Sequence, residues 1–324
     1  MPLTTIAPST KNLEFKTPLL LLGGQTLPKV KVNYTTFGTL NADKSNVIWV
    51  FHALSANSNP IEWWPGIFGA DAGFDPDQDF VICANILGSC YGTTGPSDRD
   101  FPLITIQDIV SVHQRLRDHL GITRVKVGIG GSMGGQQLLE WAVQEPTFFE
   151  HIIPIATNAA HSPWGIAFNE AQRMALDNID KGKGLEAARA IAMLSYRGYS
   201  TYEETQRDED QRWDQFSASS YQKYQGEKLR LRFDSNTYYY LSKAMDSHNV
   251  GRHAPSIAKA LSRIQSRTLV LGLDSDILFP LSEQKLIADA IESARFGVIS
   301  STYGHDGFLI EVAQINQEIK QFLK

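Results

Sequence analysis

The sequence predicts an α/β protein: a mostly parallel, doubly wound sheet with helices on both faces and a helical lid inserted between two strands. Three observations carry this. Short, almost continuously apolar runs recur along the chain, which suits strands covered on both faces. Amphipathic helical patterns alternate with those runs. Between residues 162 and 252 the alternation stops and only helical patterns remain.

In chain order, LPKVKVNYTTFGTL (27–40) alternates Val30, Val32 and Tyr34 with polar neighbours and reads as a half-buried antiparallel strand. NVIWVFHA (46–53), FVICANIL (80–87), VKVGI (125–129), HIIPIAT (151–157) and TLVLGL (268–273) read as buried parallel strands, with FGVISS as the last strand-like run. In 104–120, Ile106, Ile109, Val110, Val112 and Leu116 build one helical face, and 132–144 and 308–323 behave alike. The strand-free region holds GLEAARAIAMLSY and QRWDQFSASSYQKYQ. It is expected to cover the strand ends where open α/β sheets bind ligands; a second domain beside the core is the alternative. The expected division is therefore 1–161, first part of the core; 162–252, the lid; and 253–324, second part of the core.

Composition narrows the function. The chain has 324 residues, 42% hydrophobic and 20% charged, enough for a sizeable core. A net charge of -5 supplies no basic field for nucleic acid or an anionic membrane, so neither is an expected partner. Cys83 and Cys90 are the only cysteines, too few for a disulfide framework. The apolar cluster 19–22, between Pro18 and Gly23, is too short for a signal segment or a membrane span. A cytoplasmic, reducing location is expected.

The stretch VKVGIGGSMGGQQLLEWA (125–142) could be a phosphate cradle or a nucleophile mount. A P-loop needs Lys and then Ser or Thr, where Gln136 and Gln137 stand; a dinucleotide fingerprint counted from Gly128 ends on Met133 instead of glycine. The Gly-x-Ser-x-Gly elbow fits Gly130 to Gly134, with Ser132 central, after an apolar strand and at a helix start. A serine on so sharp a turn needs neighbours without side chains. The helix start directs free N–H groups, that of Met133 among them, toward a developing oxyanion. The bland alternative is a glycine-rich loop with an exposed serine.

A hydroxyl is a weak nucleophile at neutral pH, so Ser132 needs an imidazole base and a carboxylate to orient it. On an elbow scaffold these follow in the order acid, then histidine. His113, His119 and His151 read as surface or structural residues, and His161, His248 and His253 fall at the edges of the insertion. His305, in STYGHDGFLIE, lies between the last strand-like run and the C-terminal helix, where the base belongs. LVLGLDSDILFP offers Asp276 as the acid and Asp274 as the second choice. A second oxyanion donor is expected from the loop VFHALSANSNP, through the backbone of Leu54, with His52 holding that loop by hydrogen bonds.

Taken together, FHALSANS, FVICANILGSCYGTTGPS, FPLITIQDIV, GGSMGGQQLLEWA, AFNEAQRMAL, DSHNVGR, LDSDILFP and GHDGFLIE resemble the homoserine O-acetyltransferase family, acyltransferases on the α/β-hydrolase fold. The resemblance runs in family order across nearly the whole chain. It implies a Ser132–Asp276–His305 triad and transfer of acetyl from acetyl-CoA to the hydroxyl of L-homoserine, a step of methionine biosynthesis. It further implies that Asp306 holds the acceptor's amino group and that Arg189, with Tyr196 further along the same helix, serves the substrate. No metal ion or resident cofactor is expected, acetyl-CoA being a co-substrate, and a homodimer through the lid is. The sequence departs from the family in a short segment after Ser97, only Asp98, Arg99 and Asp100, and in a compact lid. Competing expectations are serine as acceptor, succinyl-CoA as donor, an esterase or thioesterase using the same triad, and a non-catalytic binding protein.

Overall fold

A run such as VIWVF has no polar face to turn to water, and the chain buries it in the middle of a sheet. The structure, a computed structural model, describes residues 7–177 and 180–324. Its strands are β1 (Ser9–Phe15), β2 (Leu19–Leu20), β3 (Thr26–Leu27), β4 (Val30–Phe37), β5 (Val47–Phe51), β6 (Phe80–Ala84), β7 (Val125–Gly131), β8 (Phe149–Ile155), β9 (Arg267–Leu273) and β10 (Ala294–Ile299). Eight form one sheet in the order β1-β4-β6-β5-β7-β8-β9-β10; β2 and β3 pair apart from it. The pairs β1/β4 and β4/β6 are antiparallel, and all pairs from β6 to β10 are parallel. Successive side chains of β5 serve two cores: Val47, Trp49 and Phe51 join the cluster on one face, Ile48 and Val50 that on the other. The α/β fold and its parallel runs are as the sequence indicated. Not foreseen were edge strand β1, whose STKNLEF is mostly exposed, and the two-residue β2/β3 ladder.

The helices are α1 (Pro60–Trp63), α2 (Ile106–Leu120), α3 (Met133–Gln144), α4 (Pro163–Leu176), α5 (Lys181–Tyr196), α6 (Tyr199–Thr205), α7 (Ser217–Arg230), α8 (Ser235–Asp246), α9 (Ile257–Leu261), α10 (Leu281–Ala290), α11 (Gly307–Ile310) and α12 (Val312–Leu323). Local chemistry sets the ends of α2: Thr105 and Asp108 form a reciprocal capping box, and Gly121 closes the helix at φ 61°. The single C-terminal helix expected over 308–323 is broken at Glu311. The Trp64 indole N–H donates to the Phe308 carbonyl at 3.0 Å, taking the acceptor that a continuous helix would have offered Val312.

Helices α4 to α8 lie between β8 and β9 in the chain. Their root is a short antiparallel clasp in which Val250 N–H donates to Ala159 O and His161 N–H to His248 O, both at 2.9 Å. Above it, the buried guanidinium of Arg173 on α4 meets Asp246 at the end of α8 at 2.6 Å.

Candidate active site

Ser132 occupies the sharp corner between β7 and α3 with φ 57° and ψ -127°, a conformation that costs a non-glycine residue about 1–3 kcal/mol. The surroundings impose it. Ser132 N–H donates to Ile155 O at 3.0 Å, and the Thr157 hydroxyl donates to Ser132 O at 2.8 Å. The flanking glycines allow the close approach: a Cβ on Gly134 would lie 2.1 Å from Phe51 O, and one on Gly130 would lie 2.5 Å from the backbone of Gly134. Among the described residues, neither Met133 N–H nor Leu54 N–H donates to another protein group, so both remain available to an oxyanion.

The two glutamines that stand against a phosphate loop have jobs of their own. Gln137, fully buried, donates to His52 O and Met133 O, both at 3.1 Å, tying α3 to the loop of Leu54. Gln136 donates to Asn158 Oδ1 at 2.9 Å. His52 braces the same loop: Ile86 N–H donates to its Nε2 at 3.1 Å, and Nδ1 lies 2.9 Å from Ala53 O. Burial lowers the His52 pKa to about 4, so the ring is neutral and its role is to hold backbone. His113, His161 and His248 are likewise buried and hydrogen-bonded to neighbouring amides or carbonyls.

His305 lies in the 3-10 turn Gly304–Asp306, and its Nδ1 is 2.7 Å from Asp276 Oδ2. The other carboxylate oxygen, Oδ1, accepts from Leu278 N–H at 2.8 Å and Phe279 N–H at 2.9 Å. Both carboxylate oxygens of Asp276 are thus engaged, the Nδ1–H tautomer is favoured, and Nε2 is left as the basic nitrogen. The imidazole is packed between Phe279 and Phe308, with ring centroids 5.0 and 5.4 Å away. Asp274 has different work: its Oδ1 accepts from Ser301 N–H at 3.0 Å, fixing the loop that leads to His305.

Ser132 and His305 face one cavity of about 400 Å³, together with Leu54, Arg189, Tyr196 and Asp306. Met133 and Asp276 lie behind it, completely or almost completely buried. The Arg189 guanidinium is 5.2 Å from the Tyr196 ring centre. Burial raises the Tyr196 phenol above its usual range, against the opposing charge of Arg189, so it remains a hydrogen-bond donor. Asp306 is already engaged by Arg197, whose Nε lies 2.8 Å from Oδ2.

Three contacts here had no signal in the sequence reading. Arg197 is one. Arg232, after α7, lines the cavity and donates to Ser55 O at 2.5 Å and to the Tyr91 hydroxyl at 3.0 Å, fastening the lid to the Leu54 loop. Arg99, in the short segment after Ser97, reaches Asn236 and Asp177 at 3.2 Å each and stacks on Tyr239 at 3.8 Å. That segment therefore clasps the lid. Only Arg197, adjacent to Tyr196, could have been guessed from chain position.

Comparison with known proteins bears on the family and the fold. A family model described as the alpha/beta hydrolase fold matches residues 46–312. A protein of Cyclobacterium marinum named homoserine O-acetyltransferase is 46% identical over 323 residues, covering 94% of this chain and 92% of its own. Among solved structures, esterase E22 superposes with a TM-score of 0.89 at 22% identity, over 98% of this chain and 100% of that one. A homoserine O-acetyltransferase from Bacillus anthracis gives a TM-score of 0.88 at 24% identity, over 100% of this chain and 98% of that one. Likeness at such identity speaks for the fold, which is shared by an esterase and an acetyltransferase.

Proposed function

The chain belongs to the homoserine O-acetyltransferase family of the α/β-hydrolase fold, and from that premise we propose that it moves an acetyl group from acetyl-CoA to the side-chain hydroxyl of L-homoserine, through an acetyl-Ser132 intermediate. Nε2 of His305 takes the Ser132 proton as Oγ attacks the thioester carbonyl. The oxyanion accepts from Leu54 and Met133 N–H, and Asp276 stabilises the imidazolium. Collapse breaks the C–S bond, and the departing thiolate receives the proton from His305. The homoserine hydroxyl then gives its proton to His305 and attacks the acetyl carbon. Breaking the C–Oγ bond returns the proton to Ser132 and releases the acetyl ester.

One observation carries this reading: the cavity of Ser132 and His305 also presents a guanidinium, Arg189, and a carboxylate, Asp306. Those are the two complements of a free amino acid, whose ammonium and carboxylate must both be met when taken from water. Arg189 suits the carboxylate as a planar, two-pronged donor, and Asp306 suits the ammonium. A plain ester gives neither charge a partner. Transfer also requires that the positioned hydroxyl outrun water, and the lid, fastened through Arg232 and Arg99, supplies the cover. The exposed Trp164, Met174 and Leu194 on α4 and α5 support pairing of two copies through the lid, which light scattering on the purified chain tests.

The test is mass spectrometry of the protein after acetyl-CoA, followed by separate addition of homoserine, serine and buffer. The expected result is an acetyl adduct on the Ser132 peptide, discharged by homoserine far faster than by serine or water. Release of CoA at the same rate with and without homoserine would make the protein a thioesterase and end the transferase reading.

A further inference from the structure

We propose that Arg197 is a positioning residue that keeps Asp306 open to the acceptor's ammonium by holding its carboxylate away from Arg189. This rests on the reading of Asp306 and Arg189 as the acceptor's two charge partners. A site built for a zwitterion has an inherent weakness: before the ligand arrives, its own acid and base attract each other. Both residues line one cavity, and the charges of both reach the Tyr196 phenol, in opposite senses. An internal Arg189–Asp306 pair would have to be broken by every incoming substrate.

The geometry places a restraint where that problem arises. Arg197 lies just beyond α5, the helix that carries Arg189 and Tyr196. Its Nε is 2.8 Å from Asp306 Oδ2, with the two side chains only 18% and 16% exposed. The N–H is not aligned on that oxygen, so the contact is a charge pairing rather than a directed hydrogen bond. Arg197 is itself held: its backbone N–H donates to Met193 O at 3.1 Å and its guanidinium lies 5.3 Å from the Tyr303 ring centre. Asp306 lines the cavity whereas Arg197 does not, so the arginine grips the carboxylate from behind. Oδ1 has no hydrogen-bond donor among the described residues, which leaves it for an ammonium.

The backbone keeps this pair in register. Gly304 has φ 59°, and a Cβ there would lie 2.9 Å from Gly198 N and 3.0 Å from Tyr196 O. The turn carrying His305 and Asp306 is therefore pressed directly against the end of α5. A neutral residue at 197 would leave that contact but remove the charge that opposes Arg189, and Asp306 would turn inward.

The test compares Arg197→Gln, Arg197→Lys and the wild-type protein with acetyl-CoA and either homoserine or 4-hydroxybutanoate, which lacks the ammonium. Arg197→Gln is expected to raise KM for homoserine ~tenfold while Ser132 acetylation, followed as the first-turnover burst of CoA, changes by less than about twofold. Arg197→Lys should recover part of the loss, and the preference for homoserine over 4-hydroxybutanoate should fall in Arg197→Gln. Equal losses in acetylation and acceptor KM would assign Arg197 a general structural role and overturn the proposal. So would an unchanged homoserine KM in a folded Arg197→Gln protein. If the wild-type acetyl-enzyme is discharged equally by both acceptors, the reading of Asp306 fails first, and the proposal with it.

Discussion

Asp276 is fixed at both oxygens in a way that asparagine cannot copy. Oδ1 receives two backbone N–H groups, from Leu278 and Phe279, and Oδ2 faces His305 Nδ1 at 2.7 Å. An asparagine must keep its carbonyl oxygen toward the two N–H donors, because its amide nitrogen would meet them donor to donor. The amide NH2 then points at Nδ1, which becomes an acceptor. The imidazole proton moves to Nε2, and that nitrogen is no longer a base. Asp276→Asn is therefore expected to lower kcat ~10⁴-fold with little change in fold, the loss expected when an orienting acid imposes the wrong tautomer. Steady-state kinetics beside circular dichroism checks this. Asp274→Asn gives the contrast: it meets Ser301 N–H rather than His305, so its carbonyl oxygen can replace the carboxylate, and a loss of equal size would contradict the assignment of the acid.

At the scale of elements, the lid combines apolar packing, to which Leu176, Leu185, Leu229, Leu241 and Met245 contribute, with a few buried polar joints. Arg173 of α4, 3% exposed, meets Asp246 of α8, 16% exposed, and also donates to Ser242 at 3.1 Å. Asn169 adds a bond to the same aspartate at 2.8 Å. Burial pushes the Asp246 carboxyl up, against the opposing effects of Asn169 and Arg173. Removing the acid alone leaves a buried guanidinium whose remaining carboxylate partner among the described residues is the exposed Glu170. Asp246→Ala should cost about 2–4 kcal/mol, concentrated in α4 and α8, whereas Arg173→Met with Asp246→Leu should cost less than either change alone. Hydrogen exchange and limited proteolysis of the lid, with urea midpoints for the whole chain, separate these outcomes. Faster exchange confined to the sheet in Asp246→Ala would mean that the pair does not hold the lid together.

For the whole molecule, legibility followed the range of the forces involved. Strands β5 to β9 were readable because a run with no polar face has one physical solution, and the elbow because its strand, serine, glycines and helix are neighbours along the chain. Strand β1 was not, since an exposed edge strand takes its pairing from β4 rather than from its own pattern. The grips of Arg232 on Ser55 and Gln137 on His52 join residues 177 and 85 positions apart and leave no local trace. The buried histidines are of the same kind, and they predict how the molecule responds to acid. Burial lowers His52 and His161 to about 4 and His113 and His248 to about 3, against 6.5 for the exposed ring. As pH falls, the unfolded chain therefore takes up protons that the native state refuses. This stabilising preference for the neutral form is fully present above about pH 6.5 and is lost as pH drops toward the native values, by up to about 1.4 kcal/mol per pH unit for each histidine. These rings brace the Leu54 loop, the α2–α3 packing and the root of the lid, so cooperative unfolding and loss of activity should coincide. Urea midpoints should be flat from pH 8 to 7 and fall steeply between pH 6 and 5, with proton uptake on unfolding rising toward four. His248→Gln, whose amide can still donate to Asn158 O, should reduce that uptake by about one proton, and a midpoint constant down to pH 5 would show that the four rings are not held neutral.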